Sequence, residues 1–241
     1  MSVGGSYISW RIRRMVLPFV RVYGQWVEEH IIPMSDQLGK MADAVEKQAY
    51  DELMSQSGGE DYSGDGSDEA EAAHEKGISF YEDISKMYQA TLNLFSAGLF
   101  HVVEQQLADL TRDGAIEKEV SDTKLDVVVD WYKNNCQLDF AWFSSWSVIE
   151  ELRLVANTTK HAEGPAAEQL RKKRPKLFVY PSLRKDDPKT ITFVSPLSLP
   201  LGGDGLYVTG DEFRTYHKAV LDFFEQLRQY FEDHGDEYFP R

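Results

Sequence analysis

The sequence predicts a mainly α protein, a helical bundle with a small β-hairpin-like insertion before its last helix. Apolar residues recur at i, i+3, i+4 and i+7 through long segments on both sides of the chain's centre, the period of a helix with one buried face. Residues 177–209 instead carry short runs of β-branched and aromatic residues separated by Pro188, Pro196, Pro200 and Gly202 to Gly205. With 241 residues, 42% hydrophobic and 27% charged, the chain is long enough for a full core and has the balance of an ordinary globular protein.

The first element, residues 7–32, is dense in aromatic and aliphatic side chains and contains Pro18 and Gly24, so a kinked or broken helix is expected. Such a surface packs on the main body or serves as a partner interface. Ser35 and Asp36 then provide an N-cap for a helix to about Ser55, with Leu38, Met41, Val45, Ala49 and Leu53 on one side. Residues 1–55 thus form an aromatic-rich helical segment that packs on the bundle. Residues 56–76 are acidic and rich in glycine and serine, with too few apolar groups to offset ordering entropy, and read as a disordered acidic loop. Their Asp and Gly alternation only weakly suggests calcium, because a complete EF-hand pattern is missing.

The bundle proper is expected over 77–241. A long helix runs from about Gly77 to Thr111, and a shorter one from Leu125 to Lys133. A central helix follows, with Trp142, Trp146, Ile149, Leu152 and Ala156 on one side, stopped by Gly164 and Pro165. Ala166 to Lys173 adds one or two turns. Strands are expected at Leu177–Tyr180, Thr190–Val194 and Leu206–Val208. Thr209 to Glu212 has the spacing of a capping box for a final amphipathic helix to about Asp233.

Charge and cysteine content exclude several classes. A net charge of −14 opposes nonspecific coating of nucleic acid, although a local basic site remains compatible with it. Cys136 is the single cysteine, so neither an intramolecular disulfide nor a cysteine-based zinc site can form. The apolar run Met15 to Val22 is interrupted by Pro18 and Arg21 and is too short to span a bilayer. No signal cleavage pattern follows it, and the chain reads as cytoplasmic with no membrane association. Phosphate-loop, dinucleotide, metalloprotease and nucleophile-elbow motifs are absent. No cofactor and no metal site are expected; His101, Glu104 and Gln105 alone are a poor metal pattern.

The residues that stand out lie on the central helix. Arg153 falls inside its apolar stripe, with Asn157 and His161 each one turn further on, a ladder at i, i+4, i+8. A guanidinium facing a packed interior requires an anionic or strongly accepting partner. Glu104 is the expected structural partner, with Gln105 and Glu150 as alternatives. Lys160 adjoins His161, and Arg171, Lys172, Lys173 and Arg174 form a basic tract just beyond. Such a tract either solvates a surface or guides phosphates toward the histidine.

Leu99-Phe-His-Val-Val-Glu-Gln-Gln-Leu107 paired with Glu151-Leu-Arg-Leu-Val-Ala-Asn-Thr-Thr-Lys-His161 resembles the HEPN superfamily of helical bundles. Many members of that superfamily are metal-independent endoribonucleases of toxin–antitoxin and antiviral defence systems. The resemblance covers roughly residues 77–165, and the seven residues between Arg153 and His161 exceed the family's usual spacing. It implies a homodimer that cleaves RNA, with catalytic Arg153, Asn157 and His161 and substrate contacts from Lys160 and the basic tract. It also implies an antitoxin or defence-system protein as a partner. Histidine titrates near pH 6.5 and would assist 2′-hydroxyl attack as base or acid, while Arg153 or Lys160 holds the phosphate and Asn157 orients. The alternative is a catalytically inactive HEPN-like module that binds RNA, a nucleotide or a partner protein.

Overall fold

In the computed structural model, residues 3–57, 66–112, 120, 122, 124–184, 197 and 199–238 are described. Among the described residues there are eight α-helices: α1 Val3–Arg11, α2 Leu17–Trp26, α3 Leu38–Ser57, α4 Ser67–Thr111, α5 Leu125–Cys136, α6 Trp146–His161, α7 Pro165–Lys173 and α8 Gly210–Tyr238. No helix among the described residues is long and apolar enough to cross a membrane.

The first two helices are joined without a break. A π-helical turn at Ile12–Val16 lets the Leu17 amide reach back to the Ile12 carbonyl, and Pro18 follows in the first turn of α2. A second π turn at Val27–Ile31 ends with the Ile32 amide on the Val27 carbonyl, immediately before Pro33. Each wide turn absorbs the hydrogen bond that a proline cannot donate, so the expected kink becomes a bulge in a continuous rod. A 3₁₀ segment, Ile32–Gln37, then leads into α3. Here Ser35 donates its hydroxyl to the Ile32 carbonyl, so it closes that turn and does not cap α3.

Two further expectations are corrected. Residues 67–76, assigned to an acidic loop, form the first turns of α4, whose start carries Asp68 and Glu69, where carboxylates suit the helix dipole. This segment is helical because Ala73 and Gly77 present almost no side chain to α3 and let the two helices meet closely. Ala42, Ala49 and Ala73 are buried there, and a Cβ added to Gly77 would stand 2.9 Å from the Glu46 Cβ. The calcium-like residues 61–65 lie outside the described residues.

The β-hairpin-like insertion is not seen among the described residues. Pro175–Phe178 and Pro181–Leu183 are 3₁₀ turns, and Leu206–Val208 has no regular secondary structure. Prolines at the start of both turns fix the backbone in the helical region. One bond, Tyr207 amide to Leu177 carbonyl, joins the two segments, while Thr190–Val194 lies outside the described residues. The returning segment is held by α4 instead. Asn93, fully buried, donates to the Pro200 and Leu206 carbonyls and accepts from the Val208 amide; Gln89 donates to the Val208 carbonyl. Two side-chain amides thus satisfy backbone groups that a strand partner would otherwise meet.

The core takes α4 from Leu92 onward, together with α1, α2, α5, α6, α7 and α8. Phe140, Phe143, Trp146 and Phe223 interlock with ring centroids 5.1 to 6.0 Å apart. α6 is central: it packs on α4, α7 and α8, and Ile149, Glu151, Leu152, Val155, Ala156, Thr158 and Thr159 are all buried. Trp142, expected on its stripe, lies in the preceding 3₁₀ turn and is largely exposed.

Candidate functional site

Burial on most sides leaves α6 one open edge. Arg153 and Asn157 are half-buried there and Lys160 and His161 are exposed, so the ladder read from the spacing exists as a surface edge. The helix ends at Ala162, whose φ of 57° is a left-handed conformation that alanine rarely adopts, before Gly164 and Pro165 begin α7. Among the described residues Asn157, Lys160 and His161 have no side-chain hydrogen bond or ion pair.

Arg153 differs from its neighbours. It donates to Glu150 at 3.1 Å, one turn back, and to Asp126 of α5 at 3.5 Å, with 28% of its side chain exposed. Glu104, the expected partner, instead pairs with His101 at 2.8 Å on its own helix. The correction has a simple cause. Arg153 sits at the rim of the stripe, and a carboxylate three residues away on the same helix costs less ordering than one on a neighbouring helix.

The basic tract is also largely committed. Arg171 forms two 2.9 Å hydrogen bonds with Glu163 and lies over the Phe178 ring. Glu163 further accepts the Leu197 amide, and these bonds, led by that from Arg171, hold its carboxyl at about 2, below the ordinary 4.5. Lys173 donates to the Ser147 carbonyl, which leaves Lys172 exposed and without a partner among the described residues.

Arg174 enters a buried network that the sequence did not suggest. Glu151, 6% exposed, accepts from Arg174 at 2.5 Å and from the Tyr216 hydroxyl at 2.8 Å. Arg174 and Arg184 both donate to Glu212 at 3.1 Å, and Arg184 also donates to the Val179 and Tyr207 carbonyls. Glu212 completes the capping box with Thr209, so one carboxylate caps α8 and anchors two guanidiniums. Burial, then the adjacent Glu151 charge, pushes the Tyr216 phenol well up, keeping it a donor. Two cations balance two anions, as a buried charged cluster requires. The available signal was Glu151 itself, four residues before buried Val155 and eight before buried Thr159 on a second inward stripe.

A different surface feature is larger. Phe19, Val22 and Trp26 of α2 are about half exposed or more, and Met15 one turn earlier is as well. Their 4-3-4 spacing forms one apolar ridge. Met87 and Leu94 of α4 are more than half exposed as well, and Trp26 packs on Phe95 of the same helix with ring centroids 5.5 Å apart. Among the described residues no cluster of His, Cys, Asp or Glu is suited to hold a metal.

No protein-family model, curated protein or solved structure matches this chain.

Proposed function

We propose that this chain is a non-catalytic helical-bundle module that acts by binding, and that its partner on the apolar ridge is a second copy of itself. The observation that supports this is the exposure of Met15, Phe19, Val22 and Trp26 along one face, a concentration of large apolar groups beyond scattered surface residues. Pro18, Tyr23 and Gln25 on its flanks carry no charge, and exposed Arg14 and Glu29 stand near its opposite ends, so an antiparallel meeting of two copies around a two-fold axis brings opposite charges together. Arg153, Arg171 and Arg174, three of the cations expected to hold a phosphate chain, are paired with carboxylates of the chain itself. The test is molar mass by light scattering across concentration. The intact chain is expected as a dimer and the Phe19→Glu/Trp26→Glu variant as a folded monomer; a monomeric intact chain overturns the proposal.

One observation favours a second function, the HEPN-like ribonuclease. Asn157, Lys160 and His161 stand unpartnered beside the strained Ala162, an arrangement compatible with a site that orients a phosphate and moves a proton. Metal-free cleavage leaving 2′,3′-cyclic phosphate ends, lost in His161→Ala, would support it. A folded dimer that leaves single-stranded RNA and tRNA intact in excess EDTA leaves binding alone.

A further inference from the structure

A cavity of about 190 Å³ lies away from α6, between the middle of α4 and the two segments that return to it. Three tyrosines stand around it: Tyr81 from α4, Tyr180 before the second 3₁₀ turn, and Tyr207 from the returning segment. Tyr180 and Tyr207 meet nearly at right angles, with centroids 5.4 Å apart and planes inclined by 81°. Glu82 and Asp204 supply carboxylates at the rim, and Lys86 supplies one ammonium.

The walls are fixed before any ligand arrives. Gln89 and Asn93 hold the backbone on both sides of Tyr207, and Arg184 donates to its carbonyl. Gly203 lies against α4 with φ at 82°, and a Cβ there would collide with the Lys86 carbonyl, so only glycine lets this wall close. Apart from Gln89, the polar side chains of the cavity are nonetheless unused. Among the described residues the three phenols, both carboxylates and Lys86 have no hydrogen-bond or ion-pair partner, and Ser85 Oγ is hidden from solvent without one. A preorganised pocket with unspent polar groups is the form of a ligand site.

Geometry selects the ligand class. A flat ring needs a slot between parallel faces, whereas perpendicular aromatic walls form a corner that receives a compact, roughly spherical group. Aromatic faces are electronegative, and two carboxylates against one lysine leave the rim acidic. We propose that this pocket binds an alkylated ammonium group, held against Tyr180 and Tyr207 and closed by Tyr81, with Glu82 and Asp204 neutralising its charge. Lys86 then acts as a competing cation at the mouth.

The same headgroup occurs in small quaternary amines and in methylated lysine side chains, so titration calorimetry of the intact chain uses three probes. These are choline, a peptide carrying trimethyllysine, and the neutral carbon isostere 3,3-dimethylbutanol. Choline is expected to bind at least roughly tenfold more tightly than the isostere, because the cation–π contribution requires charge. A trimethyllysine peptide that binds more tightly than choline assigns the source to a protein side chain, and the reverse order assigns a free amine. Tyr207→Leu is expected to lose roughly tenfold in affinity, Tyr180→Phe to retain it because the ring is kept, and Lys86→Met to strengthen it. Helicity by circular dichroism keeps misfolding distinguishable from lost binding. Absent choline and peptide binding, equal binding of the isostere, or weaker binding in folded Lys86→Met overturns the assignment.

Discussion

At the scale of single residues, the environments of Cys136 and Glu163 make opposite demands on their protons. Burial pushes the Cys136 thiol up to about 12, so its reactive thiolate is scarce at neutral pH. We expect no reaction with a disulfide reagent at about pH 8 until the chain is unfolded, followed by one equivalent of thiol released. Glu163 is depressed to about 2 from 4.5, chiefly by Arg171. A carboxylate with a lowered folded-state value stabilises the fold fully above 4.5, and that contribution disappears as pH falls toward 2. The thermal midpoint of the intact chain should therefore fall more steeply over that interval than that of Glu163→Gln; parallel curves would refute the coupling. The placement of half-buried Asn157 and exposed Lys160 and His161 along one edge was legible from helical spacing alone. Of the two partners of Arg153, Glu150 on the same helix was among the carboxylates the spacing offered, whereas Asp126 on α5 was not, because spacing gives direction on one helix but not which carboxylate on another lies nearer. The Glu151, Arg174, Glu212 and Arg184 network was illegible for the same reason, since it joins residues of α6, α8 and two loops.

At the scale of elements, close approaches decide which substitutions matter. Gly24 of α2 faces the ring of buried His217 on α8, where a Cβ would collide, and His217 is held by Glu28 at 2.8 Å. Gly24→Ala is expected to cost about 1–3 kcal/mol by overpacking this joint, measured by urea denaturation. Asn93→Ala strips the 200–208 segment of three backbone hydrogen bonds and should cost about 2–4 kcal/mol. An m-value that falls with it would show that the segment had already come loose in the native state and not merely weakened, because less surface is then left to expose on unfolding. The helices themselves were legible because periodic apolar residues, Gly164 with Pro165, and the Thr209 to Glu212 box all act locally. The strands were not, because β-branched runs specify extended backbone only when an edge is available to pair with it. Here buried amides of α4 take that place, and prolines fold Pro175–Phe178 into a 3₁₀ turn. Residues 67–76 were misread for a related reason: their few apolar groups gave no signal, but small side chains sufficed once α3 lay alongside.

For the whole molecule, assembly rather than catalysis is the property on which the proposed function stands, and the Phe19→Glu/Trp26→Glu variant separates the two. Its loss of dimer mass with unchanged helicity would place the interface on α2, while choline affinity should persist, because the tyrosine pocket shares no residue with the ridge. The length of α4 carries a mechanical consequence. Its 45 residues span about 67 Å at the usual rise, yet among the described residues the core cluster meets the helix from Tyr88 onward. The preceding portion, braced by α3, is a stiff shaft cast in one piece with the buried part. A load applied near its tip would not dissipate in a hinge; it would twist Gln89 and Asn93, and with them the segment they grip.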